Sequence, residues 1–231
     1  MSIKKQIISY IKKNRVSTTE VADALGKTGV LPQVFPVNEG GHVVGEINCV
    51  FAANESNYEV HEGMRDVGED TVAMVFVDNC NDRAILGELV AKYALLYQGA
   101  KALIVDGLVR DIAAIKRHRF PVWCQGTTPI GCFNDKRDSF PENKRAELIT
   151  EYQGGIAVCD DGGVIMISND NINESLLERL QHIEMQEDIW FYCLDTLKWD
   201  THKIVCEKAY FDEKELLSMV HVEQLKAMKS R

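Results

Sequence analysis

Ile3, Ile7, Ile8 and Ile11 recur at helical spacing among lysines and polar residues, which predicts an amphipathic helix over residues 3–14. Just beyond it, Ser17 and Glu20 have capping-box spacing and Gly26 suits the position past a helix end, so a short second helix is expected between them. The stretch from there to Gly41, with Pro32 and Pro36, reads as loop. "HVVGEINCVFA" and "TVAMVFV" are rich in β-branched and aromatic residues and predict strands; the polar "ANESNYEVHEGMRDVGED" crosses between them as a helix or irregular connection.

From Gly87 the period turns helical through Leu89, Val90, Tyr93, Ala94, Leu96 and Tyr97, and Gly99 ends it. "KALIVDG" is an apolar run of the kind buried on both faces of a sheet, followed by a brief helix over 111–117 and a second strand in "FPVWCQG". "GIAVCDDGGVIMIS" reads as two strands joined at Asp161-Gly162, a hairpin signal in which the acids serve the turn. From Asn173 to about Leu197, Leu176, Leu177, Leu180, Ile183, Trp190 and Leu194 supply a helical apolar side; the charged tail to Arg231 reads as a further helix docked on a neighbour. Strands alternating with helices give an α/β class. Without repeats or a linker, the expected organisation is one α/β core over 17–170, an N-terminal helix over 1–16 and a C-terminal helical extension over 171–231.

The formal charge of −9 excludes a sequence-independent nucleic-acid binder, which needs a basic face. Lys116-Arg117-His118-Arg119 is a dense basic cluster that suits a solvated turn or an anionic ligand or partner. Seven scattered cysteines without a CxxC suggest neither a disulfide framework nor a thiolate metal site, but reduced, half-buried core residues. The N-terminus lacks the continuous apolar stretch of a secretory signal and no segment has the length of a membrane span, so a cytoplasmic protein without membrane partners is expected. No GxGxxG, P-loop, GxSxG or HxxxH pattern is present. "DNCNDRAILGE" is not a calcium loop, because Cys80 and Arg83 stand where an oxygen ligand and a glycine are required.

One constellation remains. If "ALIVDG" is a core strand, Asp106 lies near its C-terminal end, the edge where open α/β sheets bind ligands, and Arg110 and Asp111 follow within a turn. An arginine grips a carboxylate with two parallel hydrogen bonds, and a neighbouring aspartate can hold a divalent cation that the same ligand chelates. That combination suits a 2-oxo acid. Gly87, before Glu88, Leu89 and Val90, opens a helix whose first N–H groups can face an anion. The bland alternative is a structural salt bridge from Arg110 to Asp106 or Asp111, with Gly87 merely starting a helix.

The order of "TTEVADALGKTGVL", "VVGEINCVFA", "VHEGMRDVGEDTVAMVFVD", "GELVAKYALLYQGAKALIVDGLVRD", "FPVWCQGTTP" and "GGIAVCDDGGVIMIS" resembles the RraA-like family over about Thr18 to Ser168. That family includes the regulator of ribonuclease activity A and the 4-hydroxy-4-methyl-2-oxoglutarate aldolases that also decarboxylate oxaloacetate. The resemblance implies a swivelling β/β/α-type single domain, assembled as homotrimers or hexamers with sites between subunits. It further implies that Arg110 binds pyruvate and stabilises its enolate, that Asp111 binds Mg²⁺ or Mn²⁺, and that the N–H groups of Glu88, Leu89 and Val90 after Gly87 hold the carboxylate. Asp106 falls at the family's DG position, and Glu187 or Glu184 would be the acid contributed by a neighbouring subunit's C-terminal helix.

The chain departs from the aldolase pattern at Ala114, where an acidic residue helps organise metal-bound water, and at Gly155, where the family's turn carries an aspartate. Trp190, Phe191, Tyr192 and Trp199 lie beyond the usual core and suit a subunit interface. The expected function is a metal-dependent aldolase or decarboxylase acting on a small 2-oxo acid through a pyruvate enolate. The alternatives are a non-catalytic regulator that binds a partner protein and a diverged enzyme with a changed substrate.

Overall fold

The computed structural model describes residues 1–212 and Leu216, which fall into two compact units divided between Asn173 and Glu174. In the first unit, α1 (Ile3–Asn14) and α2 (Thr18–Ala24) form as the periodicity predicts. The Ser17–Glu20 capping box closes reciprocally: the Ser17 N–H donates to Glu20 Oε2 at 2.6 Å and the Glu20 N–H to Ser17 Oγ at 3.2 Å. Such a cap is worth about 1 kcal/mol.

A single mixed sheet organises the rest. Its strands are β1 (Phe35–Pro36), β2 (Val43–Ala53), β3 (Thr71–Asp78), β4 (Ala84–Leu86), β5 (Ala102–Val109), β6 (Val122–Thr127), β7 (Ile156–Asp160) and β8 (Gly163–Ile167). The spatial order is β1-β6-β5-β3-β2-β7-β8, with β4 pairing on β5. β2, β3, β5 and β6 are mutually parallel, as are β4 and β5, while β1, β7 and β8 join antiparallel. The Asp161-Gly162 hairpin forms as expected, between β7 and β8.

The central strands are largely apolar because both faces are covered over most of their length. Val50 and Ala52 of β2, Ala73 and Val75 of β3, and Leu103 and Val105 of β5 enter one core. Their alternates Ile47 and Phe51, Val72 and Met74, and Ala102 and Ile104 enter the other. The first core is closed by Val60 of α3 (Tyr58–Gly63), by Val90 and Ala91 of α4 (Glu88–Lys92), which continues as a π-helical turn over Tyr93–Tyr97, and by Ile115 of α5 (Ile112–Arg117). The second is covered in part by Leu148 and Tyr152 of α6 (Glu142–Tyr152).

Three elements escape the sequence pattern. β1 lies in the stretch expected to be loop, and its two residues pair with Cys124 and Trp123 at the free edge of β6. β4 is three apolar residues in a polar neighbourhood, formed through its pairing with β5. Helix α6 has no fully buried residue and hence no readable apolar stripe.

In the second unit, α7 (Glu174–Asp195) is followed by a π-helical turn over His202–Cys206 and a 3₁₀ turn over Ala209–Phe211. Ile189, Cys193, Ile204, Tyr210 and Leu216 form its core. The expectation of a helix in the tail falls mostly outside the described residues. No helix among the described residues is long and apolar enough to cross a membrane.

Candidate functional site

The site follows from the pairing of β4 with β5. Two adjacent parallel strands end side by side at Leu86 and Val109, and each hands the chain to a helix. Gly87 therefore lies beside Arg110, whose N–H donates to the Leu86 carbonyl at 3.0 Å. The carboxyl ends of parallel strands are where such sheets leave room for ligands.

Gly87 is needed for space and not for backbone freedom, since its φ of −141° is open to any residue. A Cβ there would run into the Asp111 carboxylate and reach 2.9 Å from Arg110 Cγ. Asp111 sits in the left-handed region, with φ 59° and ψ 34°, an uncommon state for a non-glycine residue that aspartate tolerates. In that conformation its Oδ2 accepts from the Glu88 N–H at 3.1 Å and lies 3.9 Å from Arg110 Nε. Both side chains remain about half exposed, at 49% for Arg110 and 46% for Asp111, so their charges are available to a ligand.

Helix α4 presents its first turn here. The Glu88 N–H is taken by Asp111, and the N–H groups of Leu89 and Val90 have no carbonyl one turn back within the helix. The Glu88 carboxylate turns to His118 of the basic cluster, with Oε1 at 3.2 Å from Nε2.

Gly87, Leu89, Val90, Arg110 and Asp111 line one cleft of about 260 Å³, together with Asn57, His61, Cys132 and Asn134. Asn57 is 8% exposed; its Nδ2 donates to the Ile85 carbonyl at 3.2 Å, whereas its Oδ1 is buried without a hydrogen-bond partner among the described residues. A buried carbonyl oxygen left open in this way is an acceptor that a ligand or water would satisfy. Cys132 reaches the cleft from the segment 130–132, which is tied to β4 by Ala84 N–H to the Ile130 carbonyl at 2.7 Å and Cys132 N–H to the Ala84 carbonyl at 3.0 Å. There Gly131 lies directly against the Arg110 guanidinium, where a Cβ would collide with Nη1.

The structure brings Gly87, Leu89, Val90, Arg110 and Asp111 to one cleft, joins Glu88 to it through its backbone N–H on Asp111, and places Asp106 elsewhere. Asp106 continues the Ala102–Ile104 row on the other face of β5, does not line the cleft, and accepts from Gln125 Nε2 at 2.7 Å. Burial pushes its carboxyl above the ordinary aspartate range, against the opposing pull of the Gln125 hydrogen bond. Asn57, Gly131, Cys132 and Asn134 were not readable as site residues, because they come from a polar crossover and a long loop that only the fold carries to β4. The one local signal was an asparagine at the N-cap of α3, a position whose usual side-chain bond is absent here.

In the second unit, Glu187 lines an apolar hollow of about 170 Å³ with Trp190, Phe191, Leu194, Ile204 and Val205. Burial, and then the charges of Asp188 and Glu187, raise the Glu184 carboxyl above its ordinary range.

No group of three or more His, Cys, Asp or Glu residues converges among the described residues. In the cleft, Asp111 is the carboxylate beside Arg110, and Ala114 stands one turn further along α5. One carboxylate does not make a protein cage, yet it fits a Mg²⁺-type ion, which keeps several waters and relies on one or two carboxylates plus the ligand's own oxygens.

Comparison with known proteins identifies the family of the chain. Residues 18–166 match the family model described as RraA-like, Aldolase/RraA. A Halalkalibacterium halodurans protein named "Putative 4-hydroxy-4-methyl-2-oxoglutarate aldolase" is 35% identical over 123 residues, 52% of this chain and 58% of its own length. A Shewanella oneidensis protein of the same name is 30% identical over 154 residues, 65% of this chain and 91% of its own length. Among solved structures, Streptomyces coelicolor RraAS2, described as an unusual member of the RNase ES inhibitor RraA protein family, superposes with a TM-score of 0.61 at 19% identity. That superposition covers 76% of this chain and 93% of the other. An uncharacterized protein from Pseudomonas syringae superposes with a TM-score of 0.64 at 19% identity, covering 85% and 95%. The α/β fold is thus shared with these structures, and the family model spans most of the sheet and both segments of the cleft: the chain belongs to the RraA-like family.

Proposed function

We propose that this chain is a lyase that cleaves the C3–C4 bond of a small 2-oxo acid through a pyruvate enolate. The observation that carries the reading is the convergence, in one cleft, of the Arg110 guanidinium, the first-turn N–H groups of α4 and the Asp111 carboxylate. The aldolase names borne by two relatives support the same substrate class.

In this reading the substrate carboxylate accepts from the N–H groups of Leu89 and Val90, and Arg110 faces the 2-oxo group. Asp111 would anchor a hydrated Mg²⁺ or Mn²⁺, which when bound supplies Lewis-acid polarisation of the 2-oxo oxygen. As the C3–C4 bond breaks, its electron pair moves into C3, C2 and the oxygen, and Arg110 stabilises the charge that develops there. Oxaloacetate releases C4 as carbon dioxide. In 4-hydroxy-4-methyl-2-oxoglutarate the C4 hydroxyl loses its proton and C4 leaves as a second pyruvate. In both reactions C3 takes a proton through water, so one site serves two cleavages.

A homo-oligomer completes the proposal. Leu89, Leu96 and Tyr97 are 78%, 60% and 74% exposed and, with Tyr93, mark one side of α4 and its π-helical continuation. An apolar face of this kind suits a second copy of the chain, whose Glu184 or Glu187 would then supply a further acid.

The test is pyruvate release from oxaloacetate and from 4-hydroxy-4-methyl-2-oxoglutarate with Mg²⁺, Mn²⁺ or EDTA, each corrected for the metal-only background. EDTA-sensitive release is expected, and no release from either compound refutes the lyase. Ala114 favours a second reading, a binding protein that keeps the anion site without turnover. Restoring the acid with Ala114→Glu would separate the two: turnover gained from an inactive parent supports that reading.

A further inference from the structure

Asn57 stands at the start of α3 and turns its amide away from the helix. Its side chain makes no capping bond, and the neighbouring Ser56 Oγ takes the Tyr58 N–H at 3.2 Å. The residue is held by its other polar groups: its N–H donates to the Phe133 carbonyl at 3.0 Å, its carbonyl accepts from the His61 N–H at 3.1 Å, and Nδ2 donates to the Ile85 carbonyl at 3.2 Å. The last bond fixes the sense of the amide, because a flip would set Oδ1 against another carbonyl oxygen. Oδ1 is left over, buried and without a partner among the described residues, on a side chain that lines the cleft. Ile85 and Leu86 are consecutive in β4, and the Leu86 carbonyl accepts from the Arg110 N–H, so one short strand seats Asn57 and Arg110 at the same cleft.

We infer that Asn57 sets substrate specificity, its Oδ1 accepting a hydrogen bond from the C4 hydroxyl of a 4-hydroxy-2-oxo acid. This assignment rests on the lyase reading of the cleft. Arg110 and the N–H groups of Leu89 and Val90 are donors, and they suit what 4-hydroxy-4-methyl-2-oxoglutarate and oxaloacetate share, the 2-oxo carboxylate end. Oδ1 is an acceptor with no hydrogen to offer, so it discriminates at the end where the two differ. A hydroxyl donates to it. The C4 carboxylate of oxaloacetate carries no hydrogen at neutral pH and would set its own lone pairs against it.

Burial sharpens the choice, since an acceptor shut away from water is the more costly to leave without a donor. His61 lies one turn further along α3 and also lines the cleft, but it is exposed, so water can serve its ring in place of a ligand. Asn57 orients the hydroxyl and does not keep its proton, because an amide oxygen is too weak a base. The proton passes to water as the C3–C4 bond breaks and its electron pair enters the enolate.

The experiment measures kcat/KM for pyruvate release from 4-hydroxy-4-methyl-2-oxoglutarate and from oxaloacetate, in the wild type and in Asn57→Leu, which is similar in size and has no acceptor. The ratio of the first value to the second should fall about tenfold in the variant, the scale of one lost hydrogen bond. An unchanged ratio overturns the proposal: both values falling together marks a structural role through Ile85, and neither moving marks an Oδ1 served by water. Because leucine also strands the Ile85 carbonyl, a second measurement uses the wild type alone. There 4-methyl-2-oxoglutarate, which lacks only the hydroxyl, should inhibit carbon dioxide release from oxaloacetate about tenfold more weakly than 4-hydroxy-4-methyl-2-oxoglutarate does. Equal inhibition overturns the proposal, as does a wild type that releases pyruvate from oxaloacetate alone. If the wild type releases pyruvate from neither compound, the lyase reading has failed and the Asn57 assignment falls with it; a working wild type with an unchanged ratio removes Asn57 alone.

Discussion

β5 carries Asp106 on one face and leads into Asp111 on the other, and the two ends of this short segment contrast sharply in what surrounds them. Asp106 meets a neutral amide, is partly desolvated, and holds its proton more tightly than an exposed aspartate. Asp111 meets a backbone N–H and a guanidinium, keeps about half of its side chain in solvent, and stands beside a glycine that leaves it room. An aspartate at the end of a parallel strand is therefore not enough to make a site. What distinguishes the Asp111 side is that a second strand ends next to it and delivers a helix start to the same place.

Arg110→Ala should produce the largest effect. Loss of a preorganised donor to a developing oxyanion costs about 10²–10³ in kcat. Because the side chain is half exposed, the unfolding midpoint should barely move. A structural salt bridge would show the reverse pattern in kinetics and thermal melts, with lost stability and retained turnover. Asp111→Asn comes next: it keeps an acceptor for the Glu88 N–H and removes the charge, so the Mg²⁺ needed for half-maximal rate should rise by about 10- to 100-fold. An unchanged metal requirement would remove Asp111 as the anchor.

Gly87→Ala is milder on the chemistry and harder on the packing. Its methyl group must displace Asp111 and Arg110 together, so affinity for oxalate, a planar mimic of the pyruvate enolate, should fall about tenfold while stability drops by about 1–3 kcal/mol. Equal affinity for wild type and variant would show that the two segments do not act on one ligand.

The smallest effect, with the opposite sign, belongs to Asp106→Asn. A carboxyl whose pKa is raised by folding contributes favourably below the ordinary aspartate range, and that contribution is lost as pH rises through the raised value. Asparagine still accepts from Gln125 and has no charge to desolvate, so its unfolding midpoint should exceed that of wild type at pH 7. The difference should close as the pH falls below the ordinary aspartate range, with pyruvate release unchanged throughout. Reduced release would return Asp106 to the site.

This contrast also explains what could be read from the chain. β2, β3 and β5 were legible because burial on both faces leaves near-continuous apolar runs, and the Ser17–Glu20 cap and the Asp161-Gly162 hairpin are local chemistry. Arg110 and Asp111 were legible as neighbours following a core strand. β4 was not, since Ala84–Leu86 becomes a strand only by pairing with β5, and that pairing aligns Gly87 with Arg110. Without β4, Asp106 and Asp111 were grouped by proximity in sequence, which could not reveal the face of the sheet. Asn57 and Gly131 depend on loop closure over long separations and have no periodic signature.

Calorimetric titration of oxalate into the wild-type protein and into Arg110→Ala, both with Mg²⁺ present, decides whether this cleft is an anion site. Saturable binding to wild type and an affinity about 100-fold weaker in the variant are expected, the scale of a lost charge-assisted contact to an anion. Equal affinities, or no binding to wild type, would contradict the assignment of this cleft as the 2-oxo acid site.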